Sequence, residues 1–116
     1  AALADLDPAA RSLRYAGIGN ISGTLLRPEG SQSLVSHNGT VGHQVRKIQE
    51  FSYPWPAGAL LVLHSDGLGS AWRLDRYPGL VARHPEIIAA VLYRDFRRER
   101  DDVTVVVARE RRQVAT

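Results

Sequence analysis

Two acidic positions stand where an apolar strand meets a loop, a place where carboxylates can converge on a cation. Asp66 follows the run Leu60-Leu61-Val62-Leu63-His64 after a single serine, and Asp101-Asp102 immediately precede Val103–Ala108. If the two strands are neighbours, both carboxylates meet at one edge of a sheet. Hard divalent cations suit that arrangement, since Mg²⁺ and Mn²⁺ take carboxylate oxygens and keep several waters. Gly67 would let the backbone turn sharply beside the ion. Turn chemistry explains the same residues: Ser65-Asp66-Gly67 as an Asx-type turn and Asp101-Asp102 as the end of a helix. From spacing alone, such turns are the commoner cause.

Other reactive side chains carry weaker signals. His37 and His43 share a polar stretch but lack a third ligand at a recognised spacing, which leaves His43 a weak metal candidate. His64 continues the apolar strand and is expected to hydrogen-bond within the fold, whereas His84 before Pro85 looks like a helix-opening residue. Ser65 does not sit in a nucleophile elbow, because Leu63 occupies the position of the first glycine. Gly17-x-Gly19 is no dinucleotide fingerprint, since Ser22 replaces the third glycine. Trp55 and Trp72 read as packing residues, with Trp72 near enough to Asp66 to form a pocket wall.

The elements that would position these groups follow from periodicity and turn signals. Ala1–Leu6 and Ser12–Gly17, joined by Asp7-Pro8, read as a β-hairpin. Gly17, Gly19 and Gly23 mark bends or close backbone approach. Thr24–Leu26 and Ser33–Ser36 flank the turn Arg27-Pro28-Glu29-Gly30, His37–His43 reads as a loop, and Val45–Tyr53 as a strand ended by Pro54. Ala59–His64 is an interior strand. Leu74–His84 suggests a short helix loosened by Pro78-Gly79. Pro85–Arg98 is a stronger helix, with Ile88, Val91, Leu92 and Phe96 on one stripe and Arg94, Arg97 and Arg98 opposite. Val103–Ala108 is a second buried strand. The expected class is α+β: a mainly antiparallel β-sheet with helices on one face, whose other face still needs cover.

With 116 residues, 44% hydrophobic and 23% charged, the chain fits one small globular domain. The absence of cysteine excludes disulfides, thiolate zinc sites and a cysteine nucleophile, and suits a reducing cytoplasm. Apolar runs such as Ala57–Leu63 fall far short of the roughly 20 residues of a membrane span. The absence of methionine predicts that residue 1 is not a natural start. Net charge is +3, and of 15 basic residues only Lys47 is lysine. The arginines gather at Arg94, Arg97, Arg98 and Arg100 and again at Arg109, Arg111 and Arg112. A solvated helix face and a basic tail over 110–116 account for them. Without interleaved aromatics, nucleic-acid binding is not expected.

Leu61-Val62-Leu63-His64-Ser65-Asp66-Gly67-Leu68 and Arg100-Asp101-Asp102-Val103-Thr104-Val105-Val106-Val107 together resemble the last two motifs of the SpoIIE-type branch of the type 2C, metal-dependent serine/threonine protein phosphatases. Leu13-Arg14-Tyr15-Ala16-Gly17-Ile18-Gly19-Asn20 is similar to that family's glycine-bearing strand. The resemblance covers residues 1–109 as the C-terminal part of such a domain, hence part of the family's α-β-β-α sandwich. The family's N-terminal aspartate-glycine motif, which bridges the two metals, has no counterpart in these residues, which implies little activity for the chain alone. The resemblance implies that Asp66 and Asp101 ligate Mn²⁺ or Mg²⁺, with two ions in a complete domain. It places Asp102 behind them and Gly67 in close backbone approach. Asn20 stands where many eukaryotic relatives carry an aspartate for an additional metal. The implied reaction is hydrolysis of a phosphoprotein by metal-activated water without a phosphoenzyme, in bacterial stress or sigma-factor signalling. The implied substrate is a phosphorylated protein such as an anti-sigma-factor antagonist, and an uncovered sheet face would favour association. The alternative is a non-catalytic phosphatase-like module that binds an acidic protein through its arginine-rich helix and tail.

Overall fold

The computed structural model describes residues 2–35, 49–65, 72–74, 77–98 and 103–111. The strands are β1 (Ala2–Asp7), β2 (Ser12–Gly17), β3 (Ile21–Arg27), β4 (Gly30–Ser33), β5 (Phe51–Pro54), β6 (Leu60–Ser65) and β7 (Val105–Arg109), and the helix α1 (Pro85–Phe96) lies between β6 and β7. Two sheets form, in the orders β1-β2-β5 and β4-β3-β6-β7. Every pairing is antiparallel. This is the α+β architecture expected from the sequence.

Both hairpins arise where their turn residues require them. Asp7 Oδ1 accepts the N–H of Ala10 (3.1 Å) and closes the β1–β2 turn, while Pro28-Glu29 joins β3 to β4 with Arg27 opposite Gly30. β4 therefore starts earlier than the expected Ser33–Ser36. Gly23 lies inside the regular strand β3 because a Cβ there would come within 2.9 Å of Leu34 Cδ1 and 3.0 Å of Leu63 Cδ2.

β6 carries the architecture, since alternate residues face opposite cores. Leu61 joins Leu13, Tyr15, Leu25, Tyr53 and Trp55 in the cluster between the two sheets. Leu60 and Val62 join Leu74, Leu80, Ile88 and Leu92 in the cluster beneath α1. Burial on both faces explains the unbroken apolar run that alternation on one face would not produce. The second face of the four-stranded sheet is thus covered, because β2 and β5 offer their own apolar row, while the outer face of the three-stranded sheet stays open. Outward, the three-stranded sheet carries the exposed Leu3 beside Arg14, which pairs with Asp5 (2.5 Å) and Glu50 (3.6 Å).

The helix expected over Leu74–His84 is reduced to a 3-10 turn at Leu80–Ala82, preceded by Gly79 at φ 79. Arg109 donates to the carbonyls of Val81 and Arg83, which ties this turn to the end of β7. α1 opens as the sequence suggests: His84 Nδ1 accepts the N–H of Glu86 (3.2 Å), and Pro85 occupies the first turn. It stops at Phe96, two residues before the expected end, where Arg97 becomes extended (ψ 143). Among the described residues no helix is long and apolar enough to cross a membrane.

Two outcomes follow from this packing. Leu92 is fully buried and Ile87 is 46% exposed. Leu92→Ala should cost about 2–5 kcal/mol in urea unfolding, and Ile87→Ala should stay within about 0.5 kcal/mol of the parent. Asp95 accepts from Arg94 and from Tyr77, and these bonds, Arg94's first, lower its pKa to about 2. The stabilisation they give is present above the ordinary carboxylate range and is lost as pH falls through about 2. The Tm gap between the parent and Asp95→Asn should therefore close in strong acid and remain open at neutral pH.

Candidate metal centre

Asp66, Gly67, Asp101 and Asp102 lie outside the described residues, as do His37 and His43. What is described is the frame to which the four residues are attached. β6 and β7 are neighbours, with Leu60 opposite Arg109 and His64 opposite Val105. The chain leaves β6 at Ser65, one peptide bond before Asp66, and Val103-Thr104 lead from Asp102 into β7. The condition set by the sequence, that the two strands be adjacent, is met.

The junction is reinforced by one serine. The backbone N–H of Ser65 donates to the carbonyl of Thr104 (3.1 Å), and Ser65 Oγ accepts the N–H of Thr104 (3.0 Å). These two bonds extend the β6–β7 ladder one step beyond its last strand pair, at the end where the acidic residues join. Ser65 is thus a clamp, consistent with its rejection as an acyl-transfer nucleophile. Ile21 lies opposite Ser65 on the other side of β6, so the start of β3 reaches the same end of the sheet. Asn20 immediately precedes it and is exposed.

The segment that follows β6 is anchored by His64. Its ring is buried and meets Trp72 edge-on, with centroids 6.0 Å apart. The indole N–H of Trp72 donates to His64 Nε2 (3.1 Å), and Nδ1 lies 2.9 Å from the carbonyl oxygen of Ser65. An indole N–H can only donate and a carbonyl can only accept, so the ring proton resides on Nδ1. Both nitrogens are thereby committed within the fold, which agrees with the sequence reading and removes His64 as a metal ligand. Trp72 also packs against the α1-side cluster, so residues 66–71 begin and end at fixed points.

The chemistry of the donor set suits a hard divalent cation: the acidic residues attached at this sheet end offer only carboxylate oxygen, and the chain contains no thiol. Among the described residues no group of three histidines or acids could hold a metal ion. The role of Ser65 and the tie from Thr104 were missed in the sequence, where Ser-Asp-Gly signalled a turn. The only available signal was the strand-like Val103–Ala108 following the acid pair.

This pair of sheets with a helix over one of them is the fold of type 2C-like phosphatase domains, and the comparisons agree. The chain belongs to the SpoIIE family: the model described as Stage II sporulation protein E (SpoIIE) matches residues 1–111. Among solved structures it is similar to a chain reported under the bacterial stressosome, "a modular system that has been adapted to control secondary messenger signaling" (TM-score 0.80, 24% identity, covering 93% of this chain and 57% of that one). It is also similar to the Mn-presoaked phosphatase domain of the cell fate determinant SpoIIE from Bacillus subtilis (TM-score 0.69, 23% identity, 99% and 57% covered). RsbX in complex with magnesium matches at TM-score 0.68 and 20% identity, with 91% and 53% covered. No curated protein matches. At these identities the likeness concerns the fold, and the chain spans 57% of the first two solved chains.

The clamp can be tested directly. Ser65→Ala leaves the Thr104 N–H without its acceptor, so it should cost about 1 kcal/mol in stability and speed hydrogen exchange at the Thr104 amide. Unchanged exchange at that amide would argue against the clamp.

Proposed function

We propose that this chain is the metal-binding C-terminal part of a phosphoprotein serine/threonine phosphatase. The observation that carries the reading is the Ser65–Thr104 clamp, which joins the two strand ends that bear the acidic motifs. In this reading Asp66 and Asp101 are the metal ligands, Asp102 supports them, and Gly67 permits close backbone approach. Bound Mn²⁺ or Mg²⁺ would supply charge neutralisation and an activated water for in-line attack on phosphorus. β6 and β7 supply the adjacent strand ends to which both acidic motifs attach, and His64 is turned into the fold. The Mn-presoaked SpoIIE phosphatase domain and the magnesium complex of RsbX, both similar in fold, support this choice of ions. The substrate class is a phosphorylated regulatory protein, such as an anti-sigma-factor antagonist, in bacterial stress or sporulation signalling.

The remaining donors of a complete centre are not among these motifs, so the chain alone should bind metal weakly and hydrolyse little. Calorimetric titration with Mn²⁺ should give binding that Asp66→Asn and Asp101→Asn each weaken by about tenfold or more. Tight binding that survives both substitutions would overturn the ligand assignment. Vigorous Mn²⁺-dependent hydrolysis of a phosphoserine peptide by the chain alone would show that the centre is complete without further donors.

A further inference from the structure

The outward side of α1 carries a row that packing does not use. Ile87, Ala90, Tyr93 and Arg97 follow one another at spacings of three or four residues, with Arg97 at the C-cap just past Phe96, and Arg94 adjoins Tyr93. Ile87 is 46% exposed and Tyr93 is 43% exposed, two of six large hydrophobic residues so placed among those described. A helix face whose only task is solvation needs neither.

The charges on this row differ in what they touch. Arg94 is engaged by Asp95 (2.7 Å). Arg97 meets no carboxylate among the described residues. It turns back onto Tyr93, donating to the phenol oxygen (2.8 Å) with its guanidinium carbon 5.3 Å from the ring centroid. Stacking holds this long side chain in place before any partner arrives and leaves further N–H groups to donate. Arg98 follows, exposed and without a carboxylate partner among the described residues. An apolar stretch at Ile87 and Ala90 thus leads through Tyr93 to two exposed cations just past the end of α1, Arg97 and Arg98.

We infer that the outward row of α1 and the two arginines just past its end form a docking surface for an acidic amphipathic helix of a partner protein, whose apolar side chains cover Ile87, Ala90 and Tyr93 while its carboxylates meet Arg97 and Arg98. Charge complementarity selects this occupant. Two exposed cations are too few to track a nucleic-acid backbone, and Ile87 gives nothing to phosphate. One helix row buries less than a standard interface, so the contact is weak and reversible, as suits a regulator. The groove at the opposite end of β6–β7 is a poorer site, since Arg109 is committed to Val81 and Arg83 and Arg11 to Glu110.

The test uses the whole chain and a fluorescent synthetic helix of about 18 residues with leucines along one side and glutamates beside them. Anisotropy should show saturable binding that Arg97→Glu, Arg98→Glu and Ile87→Asp each weaken by about tenfold, with unchanged circular dichroism. Three exposed sites are used so that misfolding of one variant leaves the others decisive. No binding up to millimolar peptide would overturn the proposal. Equal binding by a scrambled peptide, affinity unaffected by all three substitutions, or tighter binding of a single-stranded oligonucleotide would do so as well.

Discussion

Burial of β6 on both faces is the constraint on which the rest of the molecule depends. A strand with apolar residues on both sides needs two covers, and they come from different parts of the chain: β2 and β5 on the Leu61 side, α1 on the Leu60 and Val62 side. Each cover needs β6 to bury its own apolar row. Transfer of this much apolar surface from water, at about 25 cal/mol per Å², outweighs what any single hydrogen bond in the structure contributes.

The frame to which the acidic motifs are attached inherits its rigidity from that strand. The end of β6 is pinned laterally by β3 and β7, and Ser65 adds two bonds to Thr104 just where the ladder would otherwise fray. His64 then fixes Trp72 from within the core, so both boundaries of residues 66–71 are set by buried contacts.

Membership of the SpoIIE family joins this geometry to phosphatase-type signalling domains, while the similarity to solved chains concerns shape. The chain spans little more than half of those domains, and its described portion holds no complete metal cluster. One sheet end carries the acidic motifs, and α1 presents a mixed apolar and cationic row away from the core.

Local patterns in the sequence already determined several elements: the Asp7-Pro8 and Pro28-Glu29 hairpins, the doubly buried Leu60–Leu63 run, the helix opened by His84-Pro85, and the acidic motifs that resemble the phosphatase family. These signals involve residues a few positions apart, and turn geometry and side-chain period act over that range. The helix expected over Leu74–His84 failed because Gly79 at positive φ and the pull of Arg109 on Val81 and Arg83 leave only a 3-10 turn. Which strands would be neighbours, that a second sheet would close the face of the first, and that Ser65 would clamp Thr104 were decided by tertiary structure alone. Each depends on contacts between residues distant in the chain, which local periodicity does not encode.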